Sequence, residues 1–272
     1  MNKKIDPEKA VKTIKEFIAD RMVKSGLEGY VIGLSGGIDS ALSAVLAVEA
    51  IGKEKLYGVL MPYKTSSESS VTDAVELVNK LGIDHKIVDI SPMIDIYYDK
   101  IDDSNRLRAG NKMARERMAI LFDIAFEMNR MVLGTGNRTE IALGYTTWYG
   151  DAACSIDPIG QLYKTEVRQI AKLVGVPESI INKPPSADLW VGQTDEDEIG
   201  VNYSKIDNLL KLILDQGIST IHDLIENGIK KNEINRIIEL INKNAFKRNL
   251  PEIAPLGRVD IPDRIHLEDS FQ

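Results

Sequence analysis

Ser35-Gly36-Gly37-Ile38-Asp39-Ser40 decides how this chain is read, because of what stands on either side of it. Before it comes the apolar run Tyr30-Val31-Ile32-Gly33-Leu34, the form of a buried parallel strand. After it comes an alanine-rich stretch, about 40–51, with the form of a helix. Paired glycines let the connection turn tightly and expose successive backbone N–H groups, and the helix N-terminus adds partial positive charge. Gly33, Leu34, Ser35, Gly36, Gly37, Ile38, Asp39 and Ser40 are therefore a candidate cradle for a chain of phosphates. Ser35 and Ser40 add hydroxyl donors. Asp39 would repel phosphate on its own, and its carboxylate makes sense with a Mg²⁺ between the two. The plainer alternative is a glycine turn in which Asp39 or Ser40 caps the helix. The string is not a G-x-x-x-x-G-K-[ST] loop, and no G-x-G-x-x-G follows a strand; Gly134-Thr135-Gly136-Asn137 lacks the third glycine.

Outward from the turn, strand-like and helix-like runs alternate. Asp6 and Pro7 read as the cap and first turn of a helix with Val11, Ile14, Phe17, Ile18 and Met22 at helical spacing. Residues 55–62 read as a second strand, 71–82 as a helix, 85–90 as a third strand, 110–129 as a long helix and 131–134 as a fourth strand. That order predicts an α/β fold: a parallel sheet with helices on both faces, Rossmann-like. Residues 144–163 and 182–200 are loops rich in Gly, Pro and Asp, flanking a helix that starts near Thr165. Long loops in a compact domain are more often functional than idle. Residues 203–244 read as two or three amphipathic helices. The expected organisation is an α/β domain over 1–200, a helical appendage packed on it over 201–250, and a polar tail over 251–272. On the long helix, Ala114, Met118, Leu121, Ala125 and Met128 form one stripe, while Ile120, Phe122, Ile124 and Phe126 make other faces apolar. A helix apolar on most sides is expected to be buried, in the core or at a dimer interface.

Of the 272 residues, 43% are hydrophobic and 28% charged, enough for a sizeable core. Net charge is −7 without a basic block, which disfavours nucleic acid as a partner. The single cysteine, Cys154, rules out an internal disulfide and a cysteine-rich zinc site, and its own reading is a buried small residue. His85, His222 and His266 are scattered without metal spacing. The start of the chain lacks the apolar core of a secretory signal, and Asp123, Glu127 and Arg130 interrupt the most apolar stretch. No membrane partner is expected, and the cytoplasm is the expected location.

The SGG-x-DS string resembles that of the N-type ATP pyrophosphatases, which cleave ATP between its α- and β-phosphates to activate a substrate. Four further segments narrow the resemblance: GNKMARERM (110–118), LGTGNRTE (133–140), DPIGQLYKTEV (157–167) and KPPSADLWVGQTDEDEIG (183–200). In this order and spacing, over roughly residues 10–250, the chain resembles the ammonia-dependent NAD synthetases. That resemblance implies ATP, deamido-NAD and ammonia as substrates, NAD, AMP and pyrophosphate as products, and a homodimer. It implies ATP contacts from Gly33 through Ser40 and from Thr135, Lys164 and Ser186, with Asp39 and Glu140 as the Mg²⁺ carboxylates. It places Arg115, Trp148, Ser155, Phe246 and Lys247 at deamido-NAD. Many members of the family carry Lys, Asp and His where this chain has Trp148, Ser155 and Phe246. Bland readings stand beside these: a helix cap for Thr135, a surface ion pair for Glu140, a solvated lysine for Lys164 or Lys247. Asp195, Glu196, Asp197 and Glu198 read as a solvated acidic turn. With no glutaminase segment, ammonia comes from solution or from a separate protein. Two other functions remain open at this point, an amide ligase for a different carboxylate and a non-catalytic ATP-binding regulator.

Overall fold

In the computed structural model, which describes residues 5–98, 101–102, 104–186, 188–190, 192–251, 253–254 and 256, the chain folds around one parallel sheet. Its strands are β1 (Tyr30–Gly33), β2 (Leu56–Leu60), β3 (Asp84–Ile87) and β4 (Met131–Leu133), in the order β3-β2-β1-β4. Side chains alternate across a strand, and the sequence makes both faces of the central pair apolar. Tyr30, Ile32, Leu56 and Leu60 enter one core with the helices α1 (Pro7–Ser25), α2 (Ile38–Ile51), α3 (Glu68–Leu81), α7 (Lys164–Leu173) and α8 (Glu178–Ile181). Val31, Val59, Met61 and Val132 enter the core on the opposite face, under α4 (Ser91–Tyr97) and α5 (Arg106–Glu127). The α/β fold with helices on both faces is therefore the one the strand–helix alternation implies. Asp6 caps α1, accepting from the Glu8 and Lys9 N–H groups.

Two details differ from the sequence reading. β3 is an exposed, polar edge strand that ends at Ile87, short of the 85–90 run. On α5 the inward stripe is buried at Ala114, Leu121 and Ala125, but Phe122 is 42% and Phe126 90% exposed. The helix is covered on one side only, and Phe122 and Phe126 stand exposed on its outer face among Arg115, Asp123 and Glu127.

A third core joins the remaining helices to the sheet domain. Leu143, at the end of α6 (Arg138–Leu143), and Tyr163 pack with residues from α9 (Asp195–Ile199), α10 (Tyr203–Leu210), α11 (Ile221–Glu226) and α12 (Lys231–Lys243). Beyond 256 the polar tail, with His266, lies outside the described residues. Beside β4, Ser155 N donates to the Val132 carbonyl at 2.9 Å and Gly134 N to the Ile156 carbonyl at 2.7 Å, so residues 155–156 continue the sheet edge.

Candidate active site

The phosphate turn lies at the carboxyl end of β1, where ligands bind in open α/β sheets. Gly37, not Asp39 or Ser40, is the N-cap of α2, and it supplies no side-chain acceptor to the helix N–H groups. The serines hold the turn in shape instead. Ser40 Oγ donates to the Gly37 carbonyl at 3.0 Å and lies 3.2 Å from Ser35 Oγ, which accepts from Gly37 N at 3.2 Å. Gly36 has φ +75°, and a Cβ there would lie 2.1 Å from the Ser70 carbonyl oxygen. Glycine is required twice over, for the left-handed backbone and for the approach of α3.

Asp39, in the first turn of α2, meets residues of two other segments, the starts of α6 and α7. The Lys164 ammonium lies 2.5 Å from Asp39 Oδ2 and 2.8 Å from Glu140 Oε1, and Asn137 Nδ2 donates to Asp39 Oδ1 at 2.9 Å. Lys164 is only 3% exposed and Asn137 fully buried, so Lys164 is no solvated lysine. Asn137 is the cap of α6, in a reciprocal box with Glu140, which leaves Thr135 free of that role and lining the cleft. Glu140 is likewise no surface pair. Lys164 is aimed by its own helix start: its N–H donates to Thr139 Oγ1 at 3.0 Å, and Thr165 N donates to Asp207 Oδ2 at 2.8 Å. Asp207 belongs to α10, so the C-terminal helices reach into the site.

Burial works against the Lys164 charge, but Asp39 and Glu140 outweigh it and hold the ammonium above the usual lysine range. Burial raises Glu140 above the usual carboxylate range; Lys164 opposes this and Asp39 adds to it. Asp157 stands close by, pushed up to about 7 by burial and then by the Asp39 charge. Its Oδ1 is buried without a hydrogen-bond partner. A folded-state value above the unfolded one means that the folded chain keeps its proton while the unfolded chain loses it. Stability at this position therefore falls as pH rises from about 4 to about 7 and stays low above. Asp157→Asn should raise the melting temperature by several degrees at about pH 8 and by less at about pH 5; an equal shift at both would show that the carboxyl does not titrate there.

The same carboxylates suit a hard cation. Asp39 and Glu140 already converge on one positive charge, that of Lys164, and the orphaned Asp157 oxygen lies near them. Among the described residues no group of three or more His, Cys, Asp or Glu forms a closed metal cage. Two carboxylates with phosphate oxygens and water completing the shell is a common arrangement for Mg²⁺.

From the phosphate turn a cleft of about 500 Å³ runs past Thr135 to Thr147, Asp151 and Lys247. Asp188, Leu189 and Trp190 of the 183–194 segment line it too, and Asp188 Oδ2 accepts from Ser67 N at 3.0 Å. Lys247 Nζ donates to the Gly144 and Thr146 carbonyls at 2.8 and 2.7 Å, and burial lowers its pKa. Trp148 stacks on Tyr149 (centroids 4.4 Å) and meets Phe246 edge-on at 5.2 Å, forming an aromatic rim. Arg115 is exposed on α5 and donates from Nε to the Trp148 carbonyl at 3.1 Å. Two residues stand apart. Ser155 Oγ accepts from Val132 N at 3.1 Å on the sheet edge, and exposed Ser186 accepts from Asp188 N at 3.0 Å within its own turn.

The sequence profile of the NAD synthase family matches residues 10–251. The chain belongs to the NAD synthase family. It is 47% identical over 241 residues to the NH(3)-dependent NAD(+) synthetase of Trichlorobacter lovleyi, covering 89% of this chain and 88% of that one. It is 44% identical over 243 residues to the enzyme of the same name from Fusobacterium nucleatum, covering 89% and 94%. Among solved structures, an NMN synthetase from Francisella tularensis superposes with a TM-score of 0.81 at 34% identity, covering 92% of this chain and 99% of that one. An NH3-dependent NAD synthetase from Campylobacter jejuni does so with 0.78 at 34%, covering 92% and 100%.

Within this NAD synthase chain, the structure adds residues to which the sequence assigned no part in the site. Asp195 is not part of a solvated turn: it is 5% exposed and accepts from Tyr203 Oη at 3.0 Å, and the Tyr203 ring lies 5.2 Å from the Lys164 ammonium. Asn137 carried a signal, the N-x-x-E capping spacing to Glu140. Asp207 carried none, since a lone aspartate within an amphipathic helix looks like any other. Cys154 is half-buried, with its thiol pushed up to about 12 by burial, so it is no nucleophile at neutral pH.

Proposed function

We propose that this chain amidates deamido-NAD with ammonia at the expense of ATP, giving NAD, AMP and pyrophosphate. The observation that carries the reading is the Asp39–Lys164–Glu140 cluster, set beside an uncapped phosphate turn at one end of a single cleft. The turn from Gly33 to Ser40 would cradle the ATP phosphates. The nicotinate carboxylate attacks the α-phosphorus, the bond to the bridging oxygen breaks, and its electron pair leaves with pyrophosphate. Ammonia then attacks the carbonyl of the acyl-adenylate, the carbon–oxygen bond to AMP breaks, and the nitrogen gives up a proton to solvent. Lys164 is already charged and buried at the phosphate end, where it would hold the leaving pyrophosphate. Asp39 and Glu140 would hold Mg²⁺, which when bound neutralises charge on the phosphates. No residue needs to act as a covalent nucleophile. Filling of the cleft by the two substrates would exclude water, which would otherwise hydrolyse the adenylate.

Thr135 would contact ATP from the cleft wall. Ser186 would join only after the 183–194 segment shifts toward the turn. Lys247, Arg115 and the Trp148–Phe246 rim would meet deamido-NAD, and Ser155 would act there only through the sheet edge it ties down. The test is purified protein with ATP, Mg²⁺, ammonium and deamido-NAD, following pyrophosphate, AMP and NAD together. Equal formation of all three is expected; ATP binding without any of them would sink the reading. Nicotinate mononucleotide belongs in a parallel arm, because a relative of similar fold is named an NMN synthetase.

Among the described residues no helix is long and apolar enough to cross a membrane. The cytoplasm is the compartment that best suits a chain with one free cysteine, and ammonia would come from solution or a separate protein. The outer face of α5, with Phe126 90% exposed and Ile96 of α4 87% exposed, supports a homodimer. Phe126→Arg is expected to shift the chain to monomer in sedimentation; a wild type that sediments as monomer would remove the dimer.

A further inference from the structure

Arg117 is a cation that lines the cleft and has no role in the account above. Arg117 of α5 lies half-buried in the cleft wall; burial lowers its pKa, and the Asp188 and Asp151 carboxylates oppose the effect. Its Nε donates to the Met61 carbonyl at 3.0 Å, and among the described residues this is the guanidinium's one hydrogen bond. Guanidinium carries five N–H donors in a fixed fork, so four remain for something else. A half-buried cation with unused donors on a cleft wall is set up to meet an anionic ligand there.

α5 itself measures where that anion would be. Leu121 Cδ1 lies 3.2 Å from where a Cβ on Gly33 would stand, so this end of the helix abuts the start of the phosphate turn. Two to three turns earlier, Asn111 Oδ1 accepts from Thr147 Oγ1 at 2.8 Å, and Ala114 Cβ lies 3.0 Å from where a Cβ on Gly150 would stand. That end abuts the loop carrying Asp151, beside Lys247. The rise from Asn111 to Leu121 is about 15 Å, and Arg117 stands between the two ends, one turn from Leu121.

We infer that Arg117 is a catalytic contact for the oxyanion at the junction of the two substrates, an inference that rests on the proposed function. Two oxyanions meet at that junction: the carboxylate to be activated and the non-bridging oxygens of the α-phosphate it attacks. A planar fork suits either, and the tie from Nε to Met61 fixes its direction. Lysine could supply the charge but neither the fork nor the tie.

The test uses the full chain as Arg117→Met and Arg117→Lys, with pyrophosphate release followed at varied deamido-NAD. Binding of an ATP analogue with a methylene between the α- and β-phosphorus is measured alongside. Arg117→Met should lose roughly 100-fold or more in kcat/KM for deamido-NAD, with analogue binding within about threefold of wild type. Arg117→Lys should recover only a small part, and added guanidinium should partly restore Arg117→Met. A rise in KM at constant kcat identifies the carboxylate; a fall in kcat at constant KM identifies the α-phosphate. Loss within about threefold in both variants overturns the inference, as does loss of analogue binding in step with activity and no rescue, the pattern of a mere prop for Met61. Wild-type turnover of deamido-NAD tests the underlying reading by itself, so an active wild type with an indifferent Arg117→Met overturns only the role of Arg117.

Discussion

Asp39→Asn is expected to lower pyrophosphate release by roughly 10³-fold or more while leaving the fold intact. The change removes a charge and almost no volume. Asp39 sits at the N-terminus of α2, beside helix N–H groups that a neutral amide would leave without an anion. Its two oxygens accept from Asn137 Nδ2 and from the Lys164 ammonium, and an asparagine keeps one acceptor for them. Losing a charge next to Asp157 and Glu140 relieves repulsion and offsets part of the lost ion pair with Lys164, which keeps Glu140, so the melting temperature should fall only slightly. What is lost is half of the carboxylate pair that would hold Mg²⁺ against the phosphates. Pyrophosphate release, Mg²⁺ titration of the rate and thermal melting should be measured together. Activity within tenfold of wild type would take Asp39 out of the chemistry, and a melting temperature well below wild type would make it a structural residue.

The phosphate turn could be read because local physics dictates it. Only glycine tolerates the backbone of residue 36 and the approach of Ser70, and a strand–turn–helix order is written in short-range periodicity. The same holds for Asp39 and Glu140, whose carboxylates follow β1 and β4 at the edge where ligands bind. Other parts of the site depend on contacts between residues far apart in the chain. Lys164 meets Asp39 across 125 positions, and Asp207 reaches the start of α7 from a helix that looks like a peripheral amphipath. Asp195 looked solvated because it sits in a run of four acidic residues, yet Tyr203 and Tyr145 turn it inward while Asp197 stays exposed. Periodicity left the outer face of α5 open between the core and a dimer interface. An apolar residue on the outer face of a helix is not distinguishable in sequence from one facing the core, and Phe126 lies outside because the sheet lies on the opposite side. Arg117 escaped notice for a related reason: in Arg115-Glu116-Arg117 only the helical phase decides which arginine enters the cleft.

Lys164→Met should abolish turnover and make the stability of the chain depend on divalent cations. Among the described residues the Lys164 ammonium is the one cation bonded to both Asp39 and Glu140, and it is 3% exposed. Removing one partner of a buried pair costs about 3–5 kcal/mol, because the charges left behind are uncompensated. Part of that loss is recovered by protonation. Without the ammonium, the opposition to burial at Glu140 disappears, and its pKa rises further above the unfolded value. The folded chain then binds more protons than the unfolded chain, so stability of the variant should fall as pH rises from about 5 to about 8, more steeply than in wild type. A divalent cation supplies the missing charge without a proton. Millimolar Mg²⁺ should therefore raise the melting temperature of Lys164→Met at about pH 8 and raise that of wild type less, because wild type already fills the position with its own ammonium. Melting curves at two pH values, with and without Mg²⁺, decide the matter. If Mg²⁺ stabilises both proteins equally, the metal binds elsewhere, and Lys164 is a phosphate ligand that does not share its place with the cation. If the variant alone responds, ATP must bring enough phosphate charge to draw Lys164 away from the carboxylates as the metal enters. ATP and Mg²⁺ would then bind together, each helping to displace the Lys164 ammonium from Asp39 and Glu140.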